Sequence, residues 1–422
     1  MKKIPMSSIV SMMFVLILAA CAQAPAPVKL DDASLEAKAK GIHDRILSVD
    51  THCDTPGALL RPGWNIAEGH EFGKPGSGLV DLPRMKEGRL DAMFFGVFTG
   101  QGELTPQGYS KVRDRAAALL DAIDKMCAAN PGLIGKATTP AEAARLKKDG
   151  KLIAFIGMEN GYPIGEDLSL IETYAKRGVR YITLCHSGDN QICDSGTDRR
   201  NPEDKGLSEF GRKVVAECNR FGIMIDISHA SDKSFFDILQ ASRAPIFASH
   251  SCCRALCDNP RNLTDDMIRA LAKKGGVLQM CFLSGYLKAP RPNPEREKAL
   301  KELEAKYGPR RNLQSVKDES LRAKAMAEYQ AAMQKFPEER ATVKDIVDHI
   351  DHVVKVAGID FIGIGTDFDG GGGVAGCADV SEMFQVTMEL LRRGYTESQI
   401  RKIWGGNIMR VLQKAIDVAA QS

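Results

Sequence analysis

Eight short apolar, β-branched runs recur along this chain, and almost every one ends in a residue able to bind a metal or a substrate. The runs are Ile46–Asp54, Ala92–Thr99, Leu152–Glu159, Tyr181–His186, Gly222–His229, Pro245–His250, Val277–Leu283 and Phe361–Asp367. Near-continuous apolar runs suit strands buried on both faces of a parallel sheet. Between them lie charged, helix-patterned stretches such as Tyr109–Ala128, Leu168–Arg177, Glu209–Phe221 and Asp345–Ala357. Gly or Pro stands at many of the joins. The count predicts an α/β chain folded as a (β/α)8 TIM-like barrel. A doubly wound sheet would carry a glycine-rich phosphate fingerprint after its first strand; His52 and Asp54 stand there instead.

One segment breaks the rhythm. Between the seventh and eighth runs, residues 288–340 are charged, rich in Ala, Lys and Glu, and introduced by Pro290, Pro292 and Pro294. This reads as a helical insertion between strands 7 and 8. It is either a solvated appendage or a lid or oligomer contact on the active face, which leaves a homodimer open.

The N-terminus points to export. Lys2 and Lys3 precede an apolar run, Ile9 to Ala20, broken only by Ser11. That run is shorter than a membrane span of about 20 residues but has the length of a signal-peptide core. It ends in Leu18-Ala19-Ala20-Cys21, which resembles the lipobox of bacterial lipoproteins. The resemblance implies cleavage before Cys21, lipidation of its thiol, and membrane attachment through the anchor only. Ala22, rather than Asp, after the cysteine suits outer-membrane sorting. The expected layout is a signal peptide over 1–20, a tether over 21–34 and the barrel over 35–422. The expected location is the bacterial cell envelope, facing the periplasm. The net charge of +3 gives no electrostatic case for nucleic acid. Ten further cysteines could pair in an oxidising compartment, but connectivity is not readable from sequence.

The chemistry lies at the run ends. The first closes with His52-Cys53-Asp54, the third with Glu159, the fourth with His186, the fifth with His229, the sixth with His250 and the eighth with Asp367. In a barrel these C-terminal strand ends converge on one mouth. Period-two alternation puts His52 and Asp54 on one face and turns Cys53 away. Nitrogen and oxygen donors without a dedicated thiolate suit catalytic zinc. One carboxylate such as Glu159 can bridge two ions, which together activate a water. Asp50 is placed for a supporting hydrogen bond, and Asp369 for orienting Asp367. Cys252 and Cys253 read as packing or disulfide residues rather than ligands. Gly370–Gly373 reads as a flexible loop, and His43, His70, His349 and His352 as ordinary helix or loop residues.

These residues match a family. Val49-Asp50-Thr51-His52-Cys53-Asp54-Thr55-Pro56, Gly157-Met158-Glu159-Asn160-Gly161, Leu184-Cys185-His186, Asp226-Ile227-Ser228-His229-Ala230 and Ser249-His250-Ser251 carry the match. So do Asn259-Pro260-Arg261-Asn262, Gly365-Thr366-Asp367-Phe368-Asp369-Gly370 and the tail Gly405-Gly406-Asn407-Ile408-Met409-Arg410-Val411. The chain resembles the membrane (renal) dipeptidase family of zinc peptidases, within the amidohydrolase-type barrels. The resemblance implies a metallo-dipeptidase with two Zn2+ ions and dipeptide substrates, including those with a C-terminal D-residue. His52 and Asp54 would hold the first zinc, Glu159 would bridge, and His229 and His250 would hold the second. Asp367 would be the acid/base, His186 would hydrogen-bond the scissile carbonyl oxygen, and Arg261 would pair with the substrate carboxylate. Arg is the natural bidentate reader of a carboxylate.

The chain departs from the family at one place. Ser187-Gly188 stands where animal members carry a disulfide cysteine. Cys257 matches another such cysteine, with Cys281 one candidate partner. Two rival readings stay open: a binuclear hydrolase of another amide, lactam or ester, and a non-catalytic lipid-anchored solute-binding protein.

Overall fold

The computed structural model describes residues 31–421, apart from 201, 202, 311, 312, 314, 315 and 317. The expected signal peptide, Cys21 and the tether as far as residue 30 lie outside the described residues. The first helix spans Asp32–Arg45, capped by Asp31, whose carboxylate accepts from the Ser34 amide at 2.8 Å. It starts at Asp32, inside the segment expected as tether.

Among the described residues nine parallel strands follow: β1 Val49–Cys53, β2 Ala92–Phe98, β3 Ile134–Lys136, β4 Leu152–Glu159, β5 Val179–Thr183, β6 Met224–Asp226, β7 Phe247–Ser251, β8 Val277–Met280 and β9 Ile362–Ile364. They neighbour one another in the order β1-β2-β4-β5-β6-β7-β8-β9. The ring closes where the Asp54 amide donates to Phe368 O (2.8 Å) and the Asp367 amide donates to His52 O (3.1 Å). The eight barrel strands coincide with the eight apolar runs. The unforeseen β3 is a three-residue outrider on the start of β4, beside Leu152, Ile153 and Ala154. Higher up, β5 takes that side of β4 from Ile156 onward.

Alternation sorts each strand into two cores. Val49, Phe94, Phe155, Tyr181, Phe247 and Val277 fill the lower interior, together with Ile408, Val411 and Leu412 from the C-terminal helix Asn407–Ala419. That helix therefore plugs the end of the barrel opposite the ligands. The alternate residues Met93, Phe95, Ala154, Ile156, Ile182, Ile225 and Ala248 face the surrounding helices. Helix Val343–Val356 shows why those helices dock: Ile346, Val347, Ile350 and Val353 form one buried stripe, and Thr342 and Asp345 form a capping box. Each such aliphatic side chain contributes about 1.5–3 kcal/mol on burial.

The 288–340 segment carries two helices, Pro294–Tyr307 and Glu319–Lys335. They share a small core of Leu313, Ala325 and Tyr329 with Leu300, Leu303 and Tyr307. The root is tied to the barrel mouth, where Arg340 Nη2 donates to Gly373 O (2.7 Å) and the Gly373 amide donates to Phe282 O (3.0 Å).

All ten cysteines among the described residues are free thiols. Cys257 Sγ faces Gly285 O at 3.5 Å, so the pairing with Cys281 is not made. Cys252 Sγ is turned onto Cys281 O (3.3 Å) and Cys253 Sγ onto His349 O (3.6 Å), both as packing groups. No helix among the described residues is long and apolar enough to cross a membrane.

Candidate metal centre

The run-end residues do converge. His52 Nε2 lies 3.7 Å from Asp54 Oδ1, 3.4 Å from Glu159 Oε2 and 3.8 Å from Asp367 Oδ1. The other oxygen of Glu159 faces the opposite way. Its Oε1 is 3.0 Å from His229 Nε2, 3.5 Å from His250 Nε2 and 3.7 Å from His186 Nε2. The Nε2 atoms of His229 and His250 are 3.1 Å apart. One carboxylate at the end of β4 thus divides the site into a His52/Asp54 side and a His229/His250 side.

The donor atoms are short of partners. His52 Nε2, Asp54 Oδ1 and Glu159 Oε2 are buried and make no hydrogen bond among the described residues. Leaving such groups unsatisfied is costly unless something else is bound between them. Charge points the same way. Burial opposes a proton on His52, yet Glu159, Asp54 and Asp367 outweigh it and lift the imidazole to about 10. Burial, then the neighbouring Glu159 charge, pushes Asp54 well above the usual carboxylate range. Burial is also the main reason Asp367 rises to about 7. Three carboxylates around one imidazole call for positive charge, and divalent metal ions held by these N and O donors would supply it. The ligating atoms of His52, Asp54 and Glu159 lie within 4.8 Å of one another; so do those of Glu159, His186 and His229, and those of His52, His250 and Asp367.

The backbone bends to make this possible. His229 (φ 73°) and Asp367 (φ 62°) are non-glycine residues in the left-handed region, as are Asn160 and Asp369. Such conformations cluster where the surrounding structure fixes a functional side chain. The loop amides of Gly370, Gly371 and Gly372 all donate to Asp367 O, at 3.1, 3.1 and 2.7 Å. The run is thus a turn wrapped on Asp367 rather than only a flexible loop.

His186 sits at the rim, about a quarter exposed, with its ring 4.2 Å from that of His229 and 4.8 Å from that of Phe98. Arg261 is buried beside it. Its Nη2 donates to His250 O (3.2 Å), its Nη1 donates to Ser251 Oγ (3.4 Å), and its Nε has no hydrogen-bond partner among the described residues. Asp50 makes its supporting bonds to backbone and to Thr366: it accepts from the His52 amide (3.2 Å), the Thr366 amide (2.9 Å) and Thr366 Oγ1 (2.6 Å). Asp369 does not orient Asp367. The left-handed turn after Asp367 breaks the strand alternation, and the Asp369 carboxylate instead accepts from Thr55 Oγ1 and the Leu79 amide, both at 2.7 Å.

Sequence reasoning missed the supports beneath the site. Ser249 Oγ contacts His250 Nδ1 at 2.7 Å and donates to Asp226 Oδ2 at 2.6 Å. His43 and His349 are buried structural residues. His349 Nδ1 accepts from the Cys253 amide (3.0 Å), and its Nε2 donates to Leu287 O (2.9 Å).

Fold and site together define a metalloenzyme built on a (β/α)8 barrel. Comparison with known proteins takes the assignment further: the membrane dipeptidase model, peptidase family M19, matches residues 36–422. The chain belongs to that family, and by class it is a metallo-dipeptidase. It is 32% identical to Dipeptidase 3 of Rattus norvegicus, covering 89% of this chain and 66% of that protein. Human Dipeptidase 3 is 30% identical, with 92% and 69% covered, so the chain spans about two-thirds of these relatives' length. Among solved structures, the probable dipeptidase PvdM from Pseudomonas aeruginosa superposes with a TM-score of 0.76 at 31% identity, over 92% of this chain and all of that one. A metallo peptidase from Rhodobacter sphaeroides, liganded with a phosphinate mimic of the dipeptide L-Ala-D-Ala, superposes at 0.69 and 25% identity, with 88% of this chain and 99% of that one covered.

Proposed function

We propose that this protein is a zinc-dependent dipeptidase of the bacterial cell envelope, facing the periplasm and held to a membrane by a lipid on Cys21, that accepts dipeptides with a C-terminal L- or D-residue. The observation that carries the reading is the division of Glu159, with Oε2 toward His52 and Oε1 toward His229 and His250. His52, Asp54 and Glu159 would hold one zinc, and Glu159, His229 and His250 the other. Two ions so placed supply a polarised carbonyl and a water acidified toward pH 7.

The remaining steps belong to the chain. Asp367, with Oδ1 at the edge of the His52 side, takes a proton from the attacking water and passes it to the leaving amine. With cations bound beside it, its carboxylate would be held anionic and able to accept. His186, at the rim beside Glu159, donates to the carbonyl oxygen as negative charge develops. Arg261 uses its guanidinium to hold the terminal carboxylate, which limits substrates to very short peptides. The L-Ala-D-Ala mimic in the Rhodobacter sphaeroides enzyme supports tolerance of a D-residue.

Metal analysis of the purified protein, with hydrolysis of L,L and L,D dipeptides measured with and without chelator, tests this. Two equivalents of zinc and chelator-sensitive hydrolysis are expected; protein that binds no metal would refute the reading. Cys21→Ser should release the protein from membranes, and a variant that stays lipid-anchored would remove the anchor assignment.

A further inference from the structure

We infer that Tyr181 is a positioning residue for the first metal site, its buried hydroxyl fixing which nitrogen of His52 carries the proton. This rests on reading His52 as a ligand. Tyr181 Oη lies 2.6 Å from His52 Nδ1. The ring's other nitrogen, Nε2, faces Asp54, Glu159 and Asp367. An imidazole binds a cation through an unprotonated nitrogen, so its single proton must sit on the other one. Nδ1–H then needs an acceptor, and the phenol oxygen is placed to be it. Both side chains are fully buried, so bulk water cannot take over the role.

The barrel is arranged to admit this contact. Tyr181 belongs to the lower interior layer, whereas the ligands sit at the strand tips, and a long side chain spans the gap. Its ring packs against those of Phe94 (5.5 Å) and Phe247 (5.4 Å). The space is vacated by Gly157 of β4, where any Cβ would collide with the Tyr181 ring. The other ligands are served differently. His250 Nδ1 meets Ser249 Oγ, and His229 Nδ1 has no hydrogen bond among the described residues. Tyr181 therefore serves His52 alone, and its effect is confined to one of two sites.

Tyr181→Phe removes the hydroxyl and keeps the ring. Stepwise zinc removal from the loaded enzyme, followed with a chromophoric chelator, should show one equivalent leaving about 10- to 100-fold more readily and the other leaving as in the parent. In the zinc-loaded parent labelled with 15N-histidine, His52 should show an exchange-protected Nδ1–H that the variant lacks. Two equivalents that behave as in the parent, equal loss of both, or a parent His52 without a proton on Nδ1 would each overturn the inference. The parent spectrum decides the matter even if the variant does not fold. A parent that binds no zinc fails the ligand reading itself, a separate result.

Discussion

Glu159 Oε1 lies 3.0 Å from His229 Nε2, while the second oxygen of the same carboxylate lies 3.4 Å from His52 Nε2. Both halves of the centre depend on this one side chain. Glu159→Gln keeps its shape but replaces one oxygen by a donor and removes the charge. Both metal equivalents should weaken together, and activity should fall below about 1% of the parent. Elemental analysis after dialysis checks this; loss of one equivalent alone would show that the carboxylate does not bridge.

Asp367 should separate from the ligands in its behaviour. Asp367→Asn cannot take a proton from water, so kcat should fall by about 10²- to 10⁴-fold, the range for a positioned acid/base. Metal content should stay at the parent level. Full turnover in the variant would remove Asp367 from its role.

The residues that meet at the mouth were legible because two regularities coincide: apolar runs mark buried parallel strands, and the metal-binding type of residue that closes a run lands at or just past a strand's C-terminal end. His52, Glu159, His186, His229, His250 and Asp367 all follow that rule. It fails where the chain leaves strand geometry. Asp369 lies beyond a residue at φ 62°, so period two no longer says where it points. Tyr181 was hidden for the opposite reason: it lies within a run, and in sequence a buried tyrosine there reads as packing. The close approach of Gly157 to Tyr181, and of Gly370 to the carboxylates, depends on cross-barrel neighbours that no local pattern encodes.

Gly370 turns that point into a test. A Cβ there would collide with Asp367 Oδ1 and come within 2.6 Å of Asp54 Oδ2. Gly370→Ala should therefore displace a ligand and the acid/base at once. We expect weaker metal binding and a loss of kcat, with the fold retained by circular dichroism. Parent-like activity would show that the turn relaxes freely.

Arg261 should act on substrate rather than metal. Arg261→Lys removes the planar fork but keeps a charge. Charged hydrogen bonds are worth about 1.5–3 kcal/mol, so kcat/KM for dipeptides should fall by roughly 10- to 100-fold. Both metal equivalents should remain. C-terminally amidated dipeptides should be poor substrates of the parent and lose little more in the variant; equal losses on both substrates would point to a structural role through His250 O.

His43 sets a stability limit in acid, away from the site. It is 1% exposed, with Nδ1 donating to Arg89 O (2.9 Å) and Nε2 accepting from Thr387 Oγ1 (2.7 Å), the hydroxyl that also accepts from Trp404 Nε1 (2.7 Å). Burial holds the imidazole down to about 4, against an ordinary 6.5. The folded state thus resists a proton that the unfolded chain accepts. Between these values the unfolded state binds more protons, so stability falls as pH drops below 6.5 and levels off below about 4. Full protonation costs about 3 kcal/mol. His43→Gln should be less stable than the parent at pH 7 because its packing and hydrogen bonds are imperfect. It should also lose less on acidification from pH 7 to 4.5, since it has nothing to titrate there. Urea melts of parent and variant at the two pH values measure the difference, and parallel losses would show that His43 does not carry the acid sensitivity.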